Sequence, residues 1–213
     1  MQTHQSILLS TAYLGPVSYF AAISNANNIY IEAEEHYIKQ TWRNRCRIMT
    51  ANGPLNLTIP VIKVHGNHTK VKDIAIDYSE NWQKIHWRAI MSAYQHSPYF
   101  QYYKDELTFF YTNKISHLLD FNLQLTKTIF TLVGINKDLY LSQTYRKELS
   151  VDLLDFRNTF SPKKNNQMKF PPYIHVFRER HGFVPNLSIL DLLLNMGPDT
   201  KSYLEKIRPG EDV

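Results

Sequence analysis

The stretch ILLSTAYLGPVSYFAAISNANNIYIEA, residues 7–33, decides the fold that we predict for this chain. Its opening apolar run, Ile7 to Ala12, is typical of a buried strand, and Gly15-Pro16 begins a helix because proline suits the first helical turn. The segment from Asn25 to Asn28 ends that helix before a second apolar run, Ile29 to Ala33. The stretch therefore predicts a strand, a helix and a second strand.

A β-hairpin is predicted in the next part of the chain. The apolar runs Arg47 to Met49 and Leu55 to Val61 flank Ala-Asn-Gly-Pro, and Asn-Gly between apolar runs is a strong hairpin signal. Leu55, Leu57 and Ile59 alternate with polar residues, so we expect one face of the second strand to be buried.

Helical spacing begins near residue 79. Ser79 is a candidate N-cap for a helix over Trp82 to Ala93, where apolar side chains recur every three or four residues. The segment from Leu107 to Val133 has the same spacing and is closed by Gly134, with a break possible near Asp120. This half of the chain is therefore predicted to be mainly helical.

The last third of the sequence combines shorter signals. Leu139 to Ser142 is typical of a short strand, and residues 157–172 mix Pro, Asn and Lys as an exposed loop does. Ser188 and Asp191 have the spacing of a capping box, and Gly197-Pro198 ends the helix that follows them. A final short helix is predicted after that stop.

Together these patterns predict a mixed α/β or α+β fold in one domain spanning residues 1–213. Residues 1–78 mainly form a small sheet, residues 79–207 mainly form helices that pack against it, and residues 208–213 form a tail. A length of 213 residues suits one domain. A composition of 43% hydrophobic and 20% charged residues excludes an intrinsically disordered chain.

Composition also limits location and partners. Cys46 is the single cysteine, so no intramolecular disulfide can form, and a reducing cytoplasm fits best. The first residues lack the pattern of a secretory signal, and no run approaches the roughly 18 apolar residues that a membrane span needs. A net charge of +5 and a pI near 9.1 favour anionic partners. No cofactor is indicated.

The densest polar cluster, residues 36–45, is a candidate anion site. Arginine presents a planar fork of donors that matches phosphate or carboxylate, and lysine adds a mobile charge. In an alternating strand Arg43, Arg45 and Arg47 would share one face. The alternative is a solvated basic surface. The candidate substrate-binding residues here are His36, Lys39, Arg43, Asn44 and Arg45.

Four other side chains, three histidines and the cysteine, could carry chemistry of their own. His86 is a candidate general base, with a buried structural histidine as the alternative. His65 and His68 lie in a loop without nearby carboxylates, so metal binding is not supported. Cys46 lies between two arginines that would favour a thiolate, although a small buried hydrophobic side chain is the favoured interpretation.

A second polar cluster surrounds a predicted helix N-terminus, where free amides and the helix dipole attract anions. Asp191 is a candidate for moving a proton, while Asn186, Ser188 and Asn195 are candidates for binding a substrate. Alternatively, Ser188 and Asp191 only cap the helix. The chain contains no G-x-S-x-G, Walker A or G-x-G-x-x-G motif, so the common hydrolase, nucleotidase and oxidoreductase signatures are absent.

In the order of its motifs the sequence resembles the WbqC-like family of bacterial proteins. The resemblance rests on Y-x-x-P-x-x-Y-F at Tyr13 to Phe20, K-x-x-x-R-N-R at Lys39 to Arg45, and L-S-I-L-D-L-L-x-N-x-G at Leu187 to Gly197. Leu57 to Pro60 and Trp82 to Phe100 match two further segments. We add Tyr13, which opens the first motif, to the candidate substrate-binding residues.

The resemblance implies an acyl or aminoacyl transferase, with glycine as one candidate group, in the synthesis of surface polysaccharide or O-antigen. In that role Arg43 and Arg45 would clamp an anionic donor or a sugar-nucleotide acceptor, Lys39 would assist, and His86 or Asp191 would move a proton. An aminoacyl donor on tRNA or a carrier is a further expected partner.

One departure from the family pattern and one competing functional class leave alternatives open. Longer family members carry a glycine-rich Y-L-x-G insertion before the C-terminal segment, whereas this chain runs from residues 157–172 directly to Tyr173. The competing class is a non-catalytic protein that binds nucleic acid or another anion, in which Trp42, Trp87 and the basic residues make stacking and phosphate contacts.

Overall fold

The protein is described by a computed structural model that covers residues 5–163 and 168–207. The predicted mixed α/β class is confirmed. The structure contains a small four-stranded parallel sheet and two antiparallel strand pairs, and its second half is mainly helical. The single-domain prediction for residues 1–213 stays a prediction, and the tail predicted at residues 208–213 lies outside the described residues. Within the described ranges, no helix has the length and apolarity that crossing a membrane requires.

The predicted strand, helix and strand are β1 (Ser6–Ser10), α1 (Val17–Asn25) and β2 (Ile29–Glu32). Pro16 occupies the position before the first turn of α1, where its missing N–H leaves no helical hydrogen bond unmade. β1 and β2 pair in parallel, with Ile7 opposite Ile29. A parallel pair needs a crossover, and α1 supplies it.

Two short strands complete the parallel sheet. β7 (Leu139–Leu141) pairs with β2, and β8 (Leu153–Asp155) pairs with the other side of β1, so the order is β7-β2-β1-β8. β7 was predicted and β8 was not. β7 and β8 are consecutive in the chain but lie at opposite edges of the sheet, so the connection 142–152 must cross the sheet to reach β8.

The predicted hairpin is β3 (Arg45–Thr50) and β4 (Gly53–Thr58), with Thr50 opposite Gly53 across the tight turn. Leu57 and Ile59 are buried as expected, but Leu55 is 41% exposed. The buried face of this segment therefore begins at Leu57, and the prediction for Leu55 is wrong.

Three helices form the middle of the chain: α2 (Trp82–Tyr94), α3 (Phe100–Thr112) and α4 (Leu118–Val133). Between the hairpin and α2, the strands β5 (Val61–Ile62) and β6 (Ala75–Ile76) form an antiparallel pair. The buried faces of all three helices join one apolar cluster with β1, β2 and α1.

Two predicted helix boundaries are wrong. Asn81, not Ser79, precedes the first turn of α2, and the Ser79 amide instead donates to the Asp77 carboxylate at 2.8 Å. The break predicted near Asp120 lies earlier, at residues 113–117, and Asp120 falls in the first turn of α4. A carboxylate is stabilised there by the positive end of the helix dipole.

The C-terminal helices are α5 (Arg178–His181), α6 (Ile189–Met196) and α7 (Thr200–Lys206). The exposed loop predicted at residues 157–172 is wrong at its start, because Arg157 and Phe160 are buried. Part of that loop, residues 164–167, lies outside the described residues.

Gly197, which ends α6, packs against Tyr99, a residue distant in sequence, and a substitution at Gly197 tests this contact. Its backbone has φ +53° and ψ −122°, a combination that only glycine adopts without strain, and a Cβ at this position would collide with the Tyr99 ring. We expect Gly197→Ala to lower the free energy of unfolding by about 2–4 kcal/mol in urea denaturation, through backbone strain and overpacking.

Gly134→Ala is the matched control, because Gly134 also has positive φ (+79°) but no atom within 4 Å of the added Cβ. It should lose only about 1–2 kcal/mol. Equal losses for the two variants would show that the contact with Tyr99 does not constrain Gly197.

Candidate functional site

Arg43 lies in a buried ion pair. Its Nε donates to Glu35 Oε1 at 2.9 Å, and its Nη2 donates to Glu35 Oε2 at 2.6 Å and to Ser10 Oγ at 2.7 Å. Nη1 donates to Thr41 Oγ1, and the residue is only 3% exposed. The expectation that Arg43, Arg45 and Arg47 share a strand face is wrong for Arg43, because β3 begins at Arg45.

A second buried arginine extends this network along the carboxyl ends of the parallel strands. Arg157 donates through Nε and Nη2 to the Asp155 carboxylate and through Nη1 to Glu32 Oε2 at 3.3 Å. These hydrogen bonds lower the pKa of Asp155 and raise that of Arg157. Ser10 Oγ connects the two arginines, because it lies 2.8 Å from the Arg157 carbonyl.

The candidate anion site is an open pocket of about 310 Å³ beside β3 and β5, which we call the basic pocket. Lys39, Arg45 and Lys63 place three positive charges around it, and its lining contains no carboxylate. Such a concentration of one sign of charge attracts anions. The lining residues are Tyr37, Lys39, Gln40, Asn44, Arg45, Val61 and Lys63.

Repulsion between like charges in the basic pocket favours an anionic occupant. Loss of hydration lowers the pKa of Lys63, and the neighbouring Lys39 ammonium lowers it further. An anion between the two ammonium groups would reduce this repulsion. Arg45 Nε is buried and has no hydrogen-bond partner among the described residues, so Arg45 can contact a ligand only through the accessible part of its side chain.

Tyr13 and His86 form a buried hydrogen-bonded chain behind the hairpin. The Tyr13 hydroxyl lies 3.0 Å from His86 Nδ1 and 2.8 Å from the Tyr111 hydroxyl. Burial lowers the pKa of His86 to about 4, and a hydrogen bond to the Thr58 backbone partly offsets this effect. The imidazole is therefore neutral at pH 7. Thr58 pairs with Arg45 across the hairpin, so His86 supports the strand that carries Arg45.

Asp191 is enclosed between two tyrosines. Its carboxylate accepts hydrogen bonds from the Tyr94 hydroxyl at 2.9 Å and from the Tyr173 hydroxyl. Burial raises its pKa, and these two hydrogen bonds counteract the rise. The predicted capping box is half correct, because Ser188 Oγ accepts from the Leu190 amide, whereas the Asp191 side chain turns inward to the tyrosines.

The remaining polar residues near α6 connect it to other elements. Asn186 Oδ1 accepts from the Ser18 amide at 2.9 Å, and the Ser188 amide donates to the Arg47 carbonyl at 2.8 Å. Asn195 Nδ2 donates to the Asp191 carbonyl at 2.7 Å. The start of α6 therefore adjoins both α1 and β3.

Two further predicted groups are placed away from the basic pocket. His36 is exposed, and its ring meets that of His68 edge-on with centroids 5.7 Å apart. In the part of the chain that the structure describes, no three His, Cys, Asp or Glu side chains are arranged to hold a metal ion.

Cys46 is fully buried, and burial raises the pKa of its thiol, so the residue is a small protonated side chain in the core.

The structure thus brings together only some of the predicted site residues. Lys39, Asn44 and Arg45 line the basic pocket together with Tyr37 and Lys63, which sequence reasoning missed. Lys63 directly follows β5, and nothing in its sequence context connects it with Arg45. The predicted residues that do not line the pocket are Tyr13, His36, Arg43, His86, Asn186, Ser188, Asp191 and Asn195. That His86 or Asp191 moves a substrate proton stays a prediction.

The lowered pKa of His86 makes stability depend on pH. Unfolding returns the imidazole to a pKa near 6.5, so the unfolded state binds the extra proton between about pH 6.5 and 4. The free energy of unfolding is therefore unaffected by the titration of this histidine above pH 6.5. It falls by up to roughly 3 kcal/mol as the pH is lowered from 6.5 to 4. In urea denaturation at a series of pH values, His86→Gln should flatten the stability profile in this window. His96→Gln, which changes an exposed histidine, should not. Parallel profiles for wild type and His86→Gln would contradict this account.

Comparison with known proteins identifies the family. A family model described as the WbqC-like protein family matches residues 11–159, a range that contains the whole basic pocket. Rv1507c, an uncharacterised protein of Mycobacterium tuberculosis, is 28% identical over 234 aligned positions that cover 94% of this chain and 97% of that protein. No solved structure shows significant similarity. Since the family model matches more than half of its length, the chain belongs to the WbqC-like protein family.

Proposed function

We propose that this protein is an acyl or aminoacyl transferase that holds an anionic substrate in the basic pocket. The observation that carries the proposal is the convergence of Lys39, Arg45 and Lys63 on one open pocket without a carboxylate in its lining. Positive side chains normally lie apart or pair with acids, so three unneutralised cations around one cavity favour a bound anion.

The positively charged residues in and near the pocket have different roles in this proposal. The Arg45 guanidinium, which lines the pocket, offers a fork of donors to a phosphate or carboxylate. Lys39 and Lys63 neutralise the remaining charge. Arg43 acts indirectly, because its ion pair with Glu35 fixes the segment that places Arg45. A proton-transfer role for His86 or Asp191 requires that the reacting group of the substrate reach them from the pocket.

The substrate and setting follow from the family rather than from the geometry. We propose that the anion is the diphosphate of a sugar nucleotide used for surface polysaccharide or O-antigen, and that glycine or another aminoacyl group arrives on tRNA or a carrier. A cytoplasmic location belongs to the same proposal, since both kinds of substrate are made there.

A non-catalytic anion-binding protein is the competing function, and nucleic acid would be one of its ligands. Stacking of bases is disfavoured, because the Arg47 guanidinium lies 5.7 Å from the centre of the buried Trp42 ring. Trp87 stacks on Phe100 and Tyr111, with ring centroids 6.1 and 5.2 Å away. Both indole rings already have protein partners, which supports a small anion over a nucleic acid.

Calorimetric titration with pyrophosphate and with a uridine diphosphate sugar tests the pocket. Arg45→Gln keeps a polar side chain but removes the charge and the fork of donors, and we expect affinity to fall at least tenfold, or about 1.4 kcal/mol. Arg88→Gln is the matched control, because Arg88 is an exposed arginine on α2 outside the pocket. Equal affinity of wild type and Arg45→Gln would remove the pocket from the proposal.

A transfer assay separates the two functions. Glycyl-tRNA carrying radiolabelled glycine is incubated with the protein and the uridine diphosphate sugar, and labelled nucleotide sugar is separated by chromatography. We expect product with wild type and Arg88→Gln and at least tenfold less with Arg45→Gln, since binding energy in the pocket positions the substrate. Anion binding that depends on Arg45 without any labelled product would favour the binding protein.

A further inference from the structure

A second cavity, of about 400 Å³, lies on the face of the parallel sheet opposite α1, which we call the sheet cavity. Leu8, Tyr30 and Glu32 form its floor, and the connection 142–152 forms its roof. The alternate strand positions Ile7, Leu9, Ile29 and Ile31 belong to the main apolar cluster, whereas Leu8 does not. The sheet cavity therefore lies outside the core that α1 covers, and it shares no residue with the basic pocket.

The walls of the sheet cavity are fixed by buried hydrogen bonds. The Glu32 carboxylate accepts from the Ser142 hydroxyl, from the Glu34 amide at 3.0 Å and from Arg157 Nη1 at 3.3 Å. Arg157 Nη1 also donates to the Arg146 carbonyl at 2.8 Å, so the same guanidinium anchors both floor and roof. The cavity is thus part of the folded framework.

The sheet cavity is a cleft that is partly open to solvent, and most residues of its roof are exposed. The hydrogen bonds of Ser142 with Glu32 and of the Arg146 carbonyl with Arg157 hold the connection between β7 and β8 over Leu8 and Tyr30. The volume falls in the range of sites that bind small molecules.

The lining of the sheet cavity indicates the chemistry of its ligand. Hydroxyl groups of Tyr30, Thr144 and Ser150 both donate and accept hydrogen bonds, and leucine side chains also belong to the lining. Glu32 is neutralised by Arg157, and the remaining charged residues of the lining, Arg146 and Asp152, have opposite signs. The cavity therefore has no excess of positive charge for an anion.

We infer that the sheet cavity binds an uncharged polyhydroxylated molecule of about monosaccharide size. Ligand hydroxyls match lining groups that donate and accept, and the C–H faces of such a molecule match Leu8 and the Tyr30 ring. This inference does not rest on the transferase proposal, since a binding protein would use the cavity equally.

Saturation-transfer NMR on the full chain tests the inference with D-glucose, N-acetyl-D-glucosamine and myo-inositol as probes and glycine as a zwitterionic comparator. We expect transfer from protein to at least one polyol and none to glycine. Ser150→Trp, which fills the cavity, should abolish the signal. Ser202→Trp, the same change at an exposed serine on α7, should keep it.

Thr144→Val gives a second reading that does not depend on tolerance of a large side chain. It removes one lining hydroxyl at nearly constant volume and should weaken polyol binding about threefold to tenfold, whereas Thr131→Val on α4 should not. Arg45→Gln should leave polyol binding unchanged. Absence of transfer to every polyol, an undiminished signal in both cavity variants, or transfer to glycine alone would overturn the inference.

Discussion

Arg43 and Glu35 form an ion pair that is shielded from water and holds together three parts of the chain. Ser10, at the end of β1, shares both charges, and its contact with the Arg157 carbonyl brings in the segment after β8. Buried charges are tolerated only when hydrogen bonds replace their lost hydration, and breaking one partner from such a pair typically costs about 3–5 kcal/mol. The ion pair therefore fixes the carboxyl end of β1 against residues 35–43, the segment that leads into the basic pocket.

Local signals were sufficient for much of the fold. The apolar runs around Gly15-Pro16 predicted β1, α1 and β2, and Asn-Gly placed the hairpin turn, because these features depend on backbone geometry within a few residues. β8 was missed because a three-residue strand carries too little pattern, and its pairing with β1 joins residues 147 positions apart, such as Ser6 and Leu153. Arg157 was assigned to an exposed loop for the same reason, since its partner Glu32 is distant in sequence.

The sequence was enough to identify the residues of the candidate site as a basic cluster, but not to predict how their side chains are oriented. Residues 36–45 were recognised as a basic cluster, yet sequence alone could not show that Arg43 turns inward to Glu35 while Arg45 faces the pocket. Which way a side chain points depends here on a carboxylate eight residues earlier and on where β3 begins. Similarly, Asp191 has the spacing of a capping box, but its carboxylate accepts hydrogen bonds from the Tyr94 and Tyr173 hydroxyls instead of capping the helix.

The enclosure of Cys46 has a practical consequence. Its thiol is buried in β3 and held protonated, so alkylating reagents, which attack the thiolate, react with it only after the hairpin leaves the core. As the single cysteine of the chain, it acts as a native probe of global opening, whose labelling rate in water follows the population of molecules that have exposed their interior.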